Sequence, residues 1–437
     1  MRRAAIFAGL ALAIAGLGAA PATARQAPPE APGDRPGDYV VVLKSGSGDP
    51  AATARGIAGA EVGTVFRDAL RGFAAELTPD ALERIRSHPD VAYVQPQHRA
   101  HFDGQEVPNG VRRTFTTDNR GLGVGDGVDE RVDADVAVLD TGIDHNHPDL
   151  NVSRRVNCLG DRGCTENAGV DDNGHGSNVG GIVGGLDNTI GYTGIAPGAR
   201  LWSVKVLNSE GSGSTAEIVA GIDYVTAHAD EIEVANLSLG FDGDEPAVRD
   251  AVNRAIAKGV VVVVSAGNDH RDVKLQTPAN VADALTVSAL SDADGKPGGR
   301  GNFAWCNANN TNRDDSLADF SNFGRGVDLT APGDCIKSAF NNGGYSNYSG
   351  TSQAAPHAAG AAAWLTRGSA KPHDRAGVIA VRDKLVRSGN SNWRDTSGDG
   401  AKEPLLDLHD AAVFPAGDTG GIRQHEVRPD SGEATKE

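Results

Sequence analysis

Basic residues are in deficit in this sequence: 41 Lys and Arg stand against 58 Asp and Glu among 437 residues, a formal net charge of -17. Nucleic-acid binding draws its affinity from clusters of Lys and Arg, so this balance argues against a DNA or RNA partner. Beyond the first twenty residues, no apolar run is long enough to span a bilayer. We therefore expect neither nucleic acid nor a membrane as a partner of the mature protein.

The N-terminus carries an export pattern. Arg2 and Arg3 precede an apolar run from Ala4 to Ala20, and Ala22-Thr23-Ala24 forms a small-x-small cleavage site. The run is rich in Ala and Gly and at the short limit for a membrane anchor, which favours a cleaved signal peptide over residues 1–24. We expect a secreted, extracellular protein that acts as a monomer.

Cysteine is scarce, and no two cysteines form the C-x-x-C pair common in metal-thiolate sites. The four that occur are Cys158, Cys164, Cys306 and Cys335. An exported chain meets an oxidising environment, so two disulfides are expected. Three connectivities are open, and proximity in the sequence favours Cys158–Cys164 and Cys306–Cys335.

Composition divides the chain into segments. Residues 25–37 are rich in Pro, Ala and Gly and predict a flexible linker, whereas residues 415–437 are polar and aperiodic and predict a disordered tail. Between them lies first a small α/β domain, residues 38–103. Its predicted elements are a strand at 39–43, a helix from Thr78-Pro79 to about Ser87, and a strand at 91–94.

In residues 104–414, strands and helices alternate. The apolar strands are predicted at 135–139, 201–206, 233–239 and 260–265, and helices begin near Ser214 and Glu245. Such alternation predicts an α/β fold of three layers, with a mostly parallel sheet covered by helices on both faces. In these sheets, reactive groups collect at the carboxyl ends of the strands.

Three residues at the ends of predicted elements suit nucleophilic catalysis. Asp140 ends a strand, His175 precedes a helix over 176–184, and Ser352 stands just before a helix that reaches about Thr366. A serine hydroxyl becomes a good nucleophile when a histidine takes its proton, and a buried carboxylate orients that histidine. The helix N-terminus behind Ser352, together with Asn268, would stabilise a developing oxyanion.

Each of these residues also has an ordinary structural interpretation as part of a turn, a loop or a helix cap. A rival enzymatic interpretation starts from Asp140-Thr141-Gly142, because aspartic proteases place a catalytic Asp in such a tripeptide. Their mechanism needs a second carboxylate. The second copy, Asp418-Thr419-Gly420, lies in the polar tail with no strand before it, which excludes that mechanism.

Together, these motifs resemble those of the subtilisin-like serine proteases. The resemblance extends over residues 104–413 and rests on blocks at 140–142, 175–176, 265–268 and 350–352, in the family's order Asp, His, Ser. It implies a serine endopeptidase that hydrolyses protein or peptide substrates through an acyl-enzyme. Residues 38–103 resemble the family's propeptide, which implies an intramolecular inhibitor that assists folding.

Two positions beside the candidate triad depart from the family pattern. After His175-Gly176-Ser177 stands Asn178, where a second His is usual, and after Ser352 stands Gln353, where Met is usual. Neither change removes a triad member, and both are expected to influence specificity or optimum pH. They also motivate a non-enzymatic alternative, a secreted peptide-binding or inhibitory module.

The resemblance also implies a groove that binds an extended peptide as an added strand between two enzyme segments. The matching segments are Gly211, Ser212 and Gly213, and Ser238, Leu239 and Gly240. A large apolar residue before the scissile bond is the family default. Asp269, which brings negative charge, and Gln276, where relatives often have Gly, put that preference in doubt.

A structural calcium ion is implied as well. The ligands that the resemblance assigns are the carbonyls of Leu186, Ile190 and Tyr192 and the side chains of Gln105, Asp149 and Asn188. Calcium prefers six to eight such oxygen ligands. A second loop, 395–400, also looks calcium-like, but Leu406 stands where a bidentate acid is needed.

Overall fold

The computed structural model describes residues 37–56, 60–96, 104–303, 306 and 312–415. Two compact units divide the chain, Met1–His101 and Phe102–Glu437. The predicted signal peptide (1–24) and nearly all of the predicted linker (25–37) and tail (415–437) lie outside the described residues. Within the described part, no helix is both long enough and apolar enough to cross a membrane.

The first unit is a small sheet with two helices. Its elements in chain order are β1 (Gly37–Leu43), α1 (Pro50–Arg55), β2 (Ala60–Phe66), β3 (Gly72–Leu77), α2 (Pro79–Arg86) and β4 (Val91–Pro96). The sheet is antiparallel in the order β2-β3-β1-β4. As predicted, Thr78 caps α2, accepting a hydrogen bond from the Ala81 N–H at 3.3 Å. Phe73, Leu77 and Ile85 fill its core.

The second unit begins with a short helix and then alternates strands with helices. Its helices are α3 (Asn109–Arg113), α4 (His175–Gly184), α5 (Thr215–Ala227), α6 (Pro246–Ala257), α7 (Thr351–Thr366) and α8 (Arg375–Ser388). Its strands are β5 (Asp135–Asp140), β6 (Val152–Asn157), β7 (Thr165–Glu166), β8 (Arg200–Lys205), β9 (Val234–Leu237), β10 (Phe241–Asp242), β11 (Val261–Ser265), β12 (Gln276–Thr277), β13 (Leu285–Ser291), β14 (Ser316–Leu317), β15 (Leu329–Pro332), β16 (Ile336–Phe340) and β17 (Gly344–Tyr348).

One large sheet organises this unit. Among the described residues it runs β14-β13-β11-β9-β5-β8-β6-β7, and β15 also pairs with β13. The parallel pairs are β6-β8, β8-β5, β5-β9, β9-β11, β11-β13 and β13-β15. At the two edges, β7 pairs antiparallel with β6, and β14 pairs antiparallel with β13. Because β8 and β9 lie on opposite sides of β5, the direction in which successive strands are added to the sheet reverses at β5. Crevices for ligands form at such switch points.

Helices cover the sheet and confirm the predicted fold class. α4 packs against α7, and α5 packs against α6, so that the sheet is the middle of three layers. The predicted capping box at the start of α5 is present, with the Ser214 hydroxyl and the Glu217 carboxylate each satisfying the other's backbone N–H. Strand β11 is buried over its whole length, as its unbroken Val run predicts.

The elements that the sequence predicts differ from the observed ones only at their ends, whereas others, such as β2, β3, β13, β15 and α8, were not predicted. His175 and Ser352 were predicted to precede their helices, but α4 begins at His175 and α7 at Thr351. The side chains of His175 and Ser352 therefore belong to the first turns of α4 and α7. Both favoured disulfides, Cys158–Cys164 and Cys306–Cys335, are confirmed.

Candidate active site

Four predicted residues meet at the carboxyl edge of the central strands. Asp140 is the last residue of β5, Asn268 follows β11, and His175 and Ser352 lie in the first turns of α4 and α7. Parallel strands bring their carboxyl ends to one edge, so residues far apart in sequence come together. The crevice at the switch point of β5 is where they converge.

Asp140 and His175 share a short hydrogen bond. His175 Nδ1 lies 2.7 Å from Asp140 Oδ1, with the Asp140 side chain 1% exposed and the His175 side chain 21% exposed. Asp140 Oδ1 also accepts from the Thr141 N–H at 2.7 Å. An ionised carboxylate can only accept hydrogen bonds, so the proton belongs on Nδ1, and Nε2 is the basic nitrogen of the neutral ring.

The same contact sets the ionisation of the imidazole. Burial lowers the pKa of His175, but the charge of Asp140 and its hydrogen bond raise it by more. The pKa of His175 therefore lies above its ordinary value of 6.5. The ring is a stronger base than a free imidazole.

A buried carboxylate that the sequence analysis missed holds the backbone ahead of α4. Asp171 Oδ1 accepts from the Gly174 N–H at 2.7 Å and from Thr141 Oγ1 at 2.9 Å, and its Oδ2 accepts from the Ser177 N–H and Oγ at 3.0 and 2.6 Å. Gly174 has a φ of 109° and supplies no capping side chain, so Asp171 caps the helix in its place. An Asp five residues before the predicted helix start at Gly176 was the available signal.

Ser352 is joined to the loop after β9. Its Oγ donates to the Ser238 carbonyl at 3.2 Å, and the Ser238 hydroxyl donates to the Ser352 carbonyl at 2.8 Å. In the described residues, no hydrogen bond joins Ser352 Oγ to His175. A serine hydroxyl is redirected by rotation about one bond, and contacts between nucleophile and base often tighten only with substrate.

Thr351 orients the amide of Asn268. Asn268 Oδ1 accepts from the Thr351 N–H at 2.8 Å and from Thr351 Oγ1 at 2.9 Å. The amide nitrogen must then point the other way. A Cβ placed on Gly350 would lie 3.6 Å from both Asn268 Nδ2 and Ser352 N, so these two donors border one small region. Converging N–H groups of this kind stabilise an oxyanion.

The two predicted groove segments follow β8 and β9. In the first, Gly211 has a φ of 74°, and the Ser212 carbonyl accepts from the Asn208 N–H at 2.8 Å, which closes a tight turn. A Cβ on Gly213 would overlap the Val206 carbonyl, so glycine is required there. The second segment, Ser238 to Gly240, is joined to Ser352 by the two hydrogen bonds of Ser238.

Gln276 lies between the segment after β9 and the segment after β11. A Cβ on Gly240 would come 2.5 Å from Gln276 Nε2, and one on Gly267 would overlap Gln276 Oε1. The side chain is held by Asn322, whose Nδ2 donates to Gln276 Oε1 at 2.7 Å. Gln276 thus fills space that the two glycines leave open.

Asp269 is paired with a basic side chain. Its carboxylate lies 3.2 Å from the guanidinium of Arg271, which also pairs with Asp242. The side chain of Asp269 is 56% exposed, so water screens what remains of its charge.

The six residues implied for calcium are in contact. Asp149 accepts from Asn188 Nδ2 at 2.8 Å and from the Tyr192 N–H at 3.0 Å; Gln105 contacts Leu186 and Asn188; and Asn188 Oδ1 accepts from the Ile190 N–H at 2.7 Å. Asp149 is 1% exposed, and burial raises its pKa to about 6. A buried carboxylate beside the side-chain oxygens of Gln105 and Asn188 is a donor set that suits a hard cation.

Two other acidic groups have protein partners. In the weak calcium-like loop, Asp395 and Asp399 accept from the Ser397 and Ala401 N–H groups at 2.8 Å. Asp292, Asp294 and Asp314 form a cluster that the sequence analysis did not identify. Arg113 approaches Asp292 at 3.1 Å, and both side chains are fully buried, so this cluster is at least partly neutralised.

Comparison with known proteins identifies the family. The model of the subtilase family matches residues 133–402, and that of the peptidase inhibitor I9 family matches residues 38–103. An alkaline protease of Alkalihalobacillus alcalophilus is 36% identical over 290 residues, which are 66% of this chain and 67% of that protein. Subtilisin E of Bacillus subtilis (strain 168) is 35% identical over 316 residues, 71% of this chain and 74% of that protein.

Solved structures agree. A cold adapted subtilisin-like serine proteinase has 32% sequence identity and a TM-score of 0.51, over 64% of this chain and 91% of that one. The family match covers more than half of the sequence and contains the strands that carry the site. The chain therefore belongs to the subtilase family, with a peptidase inhibitor I9 propeptide, and is a serine endopeptidase.

Proposed function

We propose that Ser352 is the nucleophile of this endopeptidase, His175 its general base and acid, Asp140 the residue that orients His175, and Asn268 an oxyanion donor. The observation that carries the assignment is the 2.7 Å contact between His175 Nδ1 and Asp140 Oδ1 at the switch point of the sheet. Beside it, Asn268 Nδ2 and Ser352 N border a common region.

The proposed chemistry proceeds through an acyl-enzyme. His175 Nε2 takes the proton of Ser352 Oγ while the oxygen bonds to the peptide carbonyl carbon, and the resulting oxyanion lies against Asn268 Nδ2 and Ser352 N. The imidazolium then gives its proton to the leaving amine as the C–N bond breaks. A water molecule, activated by the same imidazole, hydrolyses the ester and regenerates the Ser352 hydroxyl.

Replacing Ser352 by Ala removes the nucleophile and leaves the rest of the site in place. We expect casein hydrolysis to fall by at least about 10⁴-fold and the propeptide to remain attached. Hydrolysis is followed by release of soluble peptides, and propeptide removal by electrophoresis and mass spectrometry.

The control is Ser349→Ala, which alters a neighbouring hydroxyl outside the proposed triad. An organofluorophosphate should label wild-type Ser352 but not the alanine variant. Full activity in Ser352→Ala would contradict the assignment, and a wild-type protein that binds peptides without being labelled would favour the non-enzymatic alternative.

The raised pKa of His175 determines how activity depends on pH. The base must be neutral, so kcat/KM should be lost as pH falls through the pKa of His175, with a midpoint above its ordinary value of 6.5. Asp140→Asn removes the charge that raises this pKa, so the midpoint should move down while the plateau falls about 10⁴-fold. Initial rates on a peptide anilide between pH 5 and pH 9 measure both, with Asp161→Asn as an exposed control.

A wild-type midpoint at or below 6.5, or one that Asp140→Asn leaves in place, would contradict the proposed coupling between the two residues.

Cleavage preference follows from the position of Gln276. The segments after β9 and β11 leave a gap between Gly240 and Gly267, and the Gln276 amide occupies it. A bulky apolar side chain before the scissile bond would contact this amide and leave its hydrogen-bonding groups without partners. We therefore propose that short or polar side chains are preferred there, in place of the large apolar default of the family.

Gln276→Gly should open the gap. We expect kcat/KM for a peptide anilide with Phe before the cut to rise about tenfold or more, and that for the Ala analogue to change little. The two substrates are compared in the wild type, in Gln276→Gly and in Leu275→Ala, an exposed neighbour that serves as control. Equal effects on both substrates would show that Gln276 does not select the substrate.

Calcium is proposed as a structural ion held by the carbonyls of Leu186, Ile190 and Tyr192 and the side chains of Gln105, Asp149 and Asn188. Bound there, it would neutralise the buried Asp149 and tie Gln105 to the loop at 186–192. A ligand that binds only the folded state stabilises it in proportion to the logarithm of its concentration.

Asp149→Asn tests this site. In 1 mM calcium, wild-type protein blocked at Ser352 should melt about 5 °C higher than in EDTA, whereas the variant should show no difference. In EDTA the variant should be no less stable than the wild type, because it buries no unpaired charge. Calorimetry supplies the melts and the calcium affinity. A wild-type protein insensitive to EDTA would contradict the proposal.

We further propose that residues 1–24 direct secretion and are removed, and that residues 38–103 act as an intramolecular inhibitor of residues 104–414. The match of residues 38–103 to the peptidase inhibitor I9 family supports the second assignment. The two arginines ahead of an apolar run support the first.

A further inference from the structure

Two buried amide side chains connect the helices that carry His175 and Ser352. Asn178 lies in α4, three residues after His175, and Gln353 directly follows Ser352 in α7. Their exposed fractions are 0% and 1%. Gln353 Nε2 lies 3.2 Å from Asn178 Oδ1, so a hydrogen bond joins the two helices next to the site.

The hairpin of β16 and β17 fixes which way Asn178 points. Asn178 Nδ2 is 3.4 Å from the carbonyl oxygens of both Ala339 and Ser346. A carbonyl can only accept hydrogen bonds, so the amide nitrogen must face the hairpin and Oδ1 must face Gln353. The Ser338 hydroxyl also donates to the Asn178 backbone carbonyl at 2.8 Å, which anchors this turn of α4 to the same hairpin.

The orientation of Asn178 in turn fixes that of Gln353. Because Asn178 presents an acceptor, Gln353 must present its nitrogen, and its oxygen is left on the other side. Gln353 Oε1 lies 3.0 Å from the position of a Cβ on Gly350, the same position that is 3.6 Å from Asn268 Nδ2 and from Ser352 N. The Gln353 amide thus stands beside the proposed oxyanion donors with a defined orientation.

We propose that the Asn178–Gln353 hydrogen bond is a positioning device for the reaction: it fixes the first turn of α7 against α4, and so the geometry of Ser352 and the oxyanion donors relative to His175. This inference rests on the proposed roles of those residues. The carbonyls of the hairpin orient the Asn178 amide, and Asn178 orients the Gln353 amide, which lies beside Ser352. Neither amide is proposed to contact the substrate's reacting atoms.

The device should affect the chemical step more than substrate binding. Without the hydrogen bond, Gln353 can turn its amide and the first turn of α7 is less constrained, whereas the groove segments at 211–213 and 238–240 are unchanged. Loss of one hydrogen bond that acts in the transition state corresponds to about a tenfold change in rate. kcat should fall while KM stays the same.

The test is a double-variant cycle with Asn178→Leu and Gln353→Met, which preserve side-chain size. We expect each single variant to lose about tenfold in kcat on a peptide anilide, with KM unchanged, and to bind a peptide aldehyde about tenfold more weakly. The aldehyde forms a tetrahedral adduct with an oxyanion, so it reports on the donors. The double variant should lose no more than either single variant, because the same contact is removed.

Two further variants separate positioning from packing. Asn178→Gln combined with Gln353→Asn keeps both amides and their summed length, and should recover most of the lost kcat. Val179→Ala, a buried neighbour in α4, should lower the melting temperature without changing kcat. Losses that multiply in the double variant, or that appear in KM and melting temperature alone, would overturn the proposal.

Labelling with an organofluorophosphate distinguishes this failure from failure of the proposed function. If the wild type and all variants are labelled at Ser352 but the cycle shows no coupling, only the positioning role is wrong. If the wild type itself is not labelled, the assignment of Ser352 is wrong.

Discussion

The buried carboxylate of Asp140 is the constraint on which the site depends. It lies at the end of the central strand, almost without solvent, and its charge is compensated by the Thr141 N–H and the imidazole of His175. A charge buried in this way demands an oriented donor. Much of the surrounding structure supplies that orientation: Asp171 caps the helix that begins at His175, and the parallel sheet brings that helix to the edge where Ser352 and Asn268 also lie.

The remainder of the site consists of polar side chains that hold other polar groups. Thr351 turns the amide of Asn268, Asn322 holds Gln276, and Asn178 holds Gln353. Each contact fixes the direction in which one side-chain amide points. Preorganised dipoles of this kind stabilise developing charge without reorganisation during the reaction. The candidate calcium residues and the disulfides lie outside this set and concern stability.

Much of the fold and the central residues could be predicted from the sequence. The Val-rich run at 261–265 and the capping box at Ser214 predict their structure from local sequence, and the motifs around Asp140, His175 and Ser352 identify the candidate catalytic residues. The contacts of Gln276 and Asn178 could not be predicted in this way, because their partners depend on how distant segments meet.

The most direct test of the account concerns the proton on His175. With ¹⁵N-labelled histidine in the Ser352→Ala protein, NMR can identify which ring nitrogen carries the proton and at what pH the ring titrates. The account predicts protonation at Nδ1 in the neutral ring and a titration midpoint above 6.5 that falls in Asp140→Asn. A proton on Nε2, or a midpoint at or below 6.5 that Asp140→Asn does not change, would contradict it.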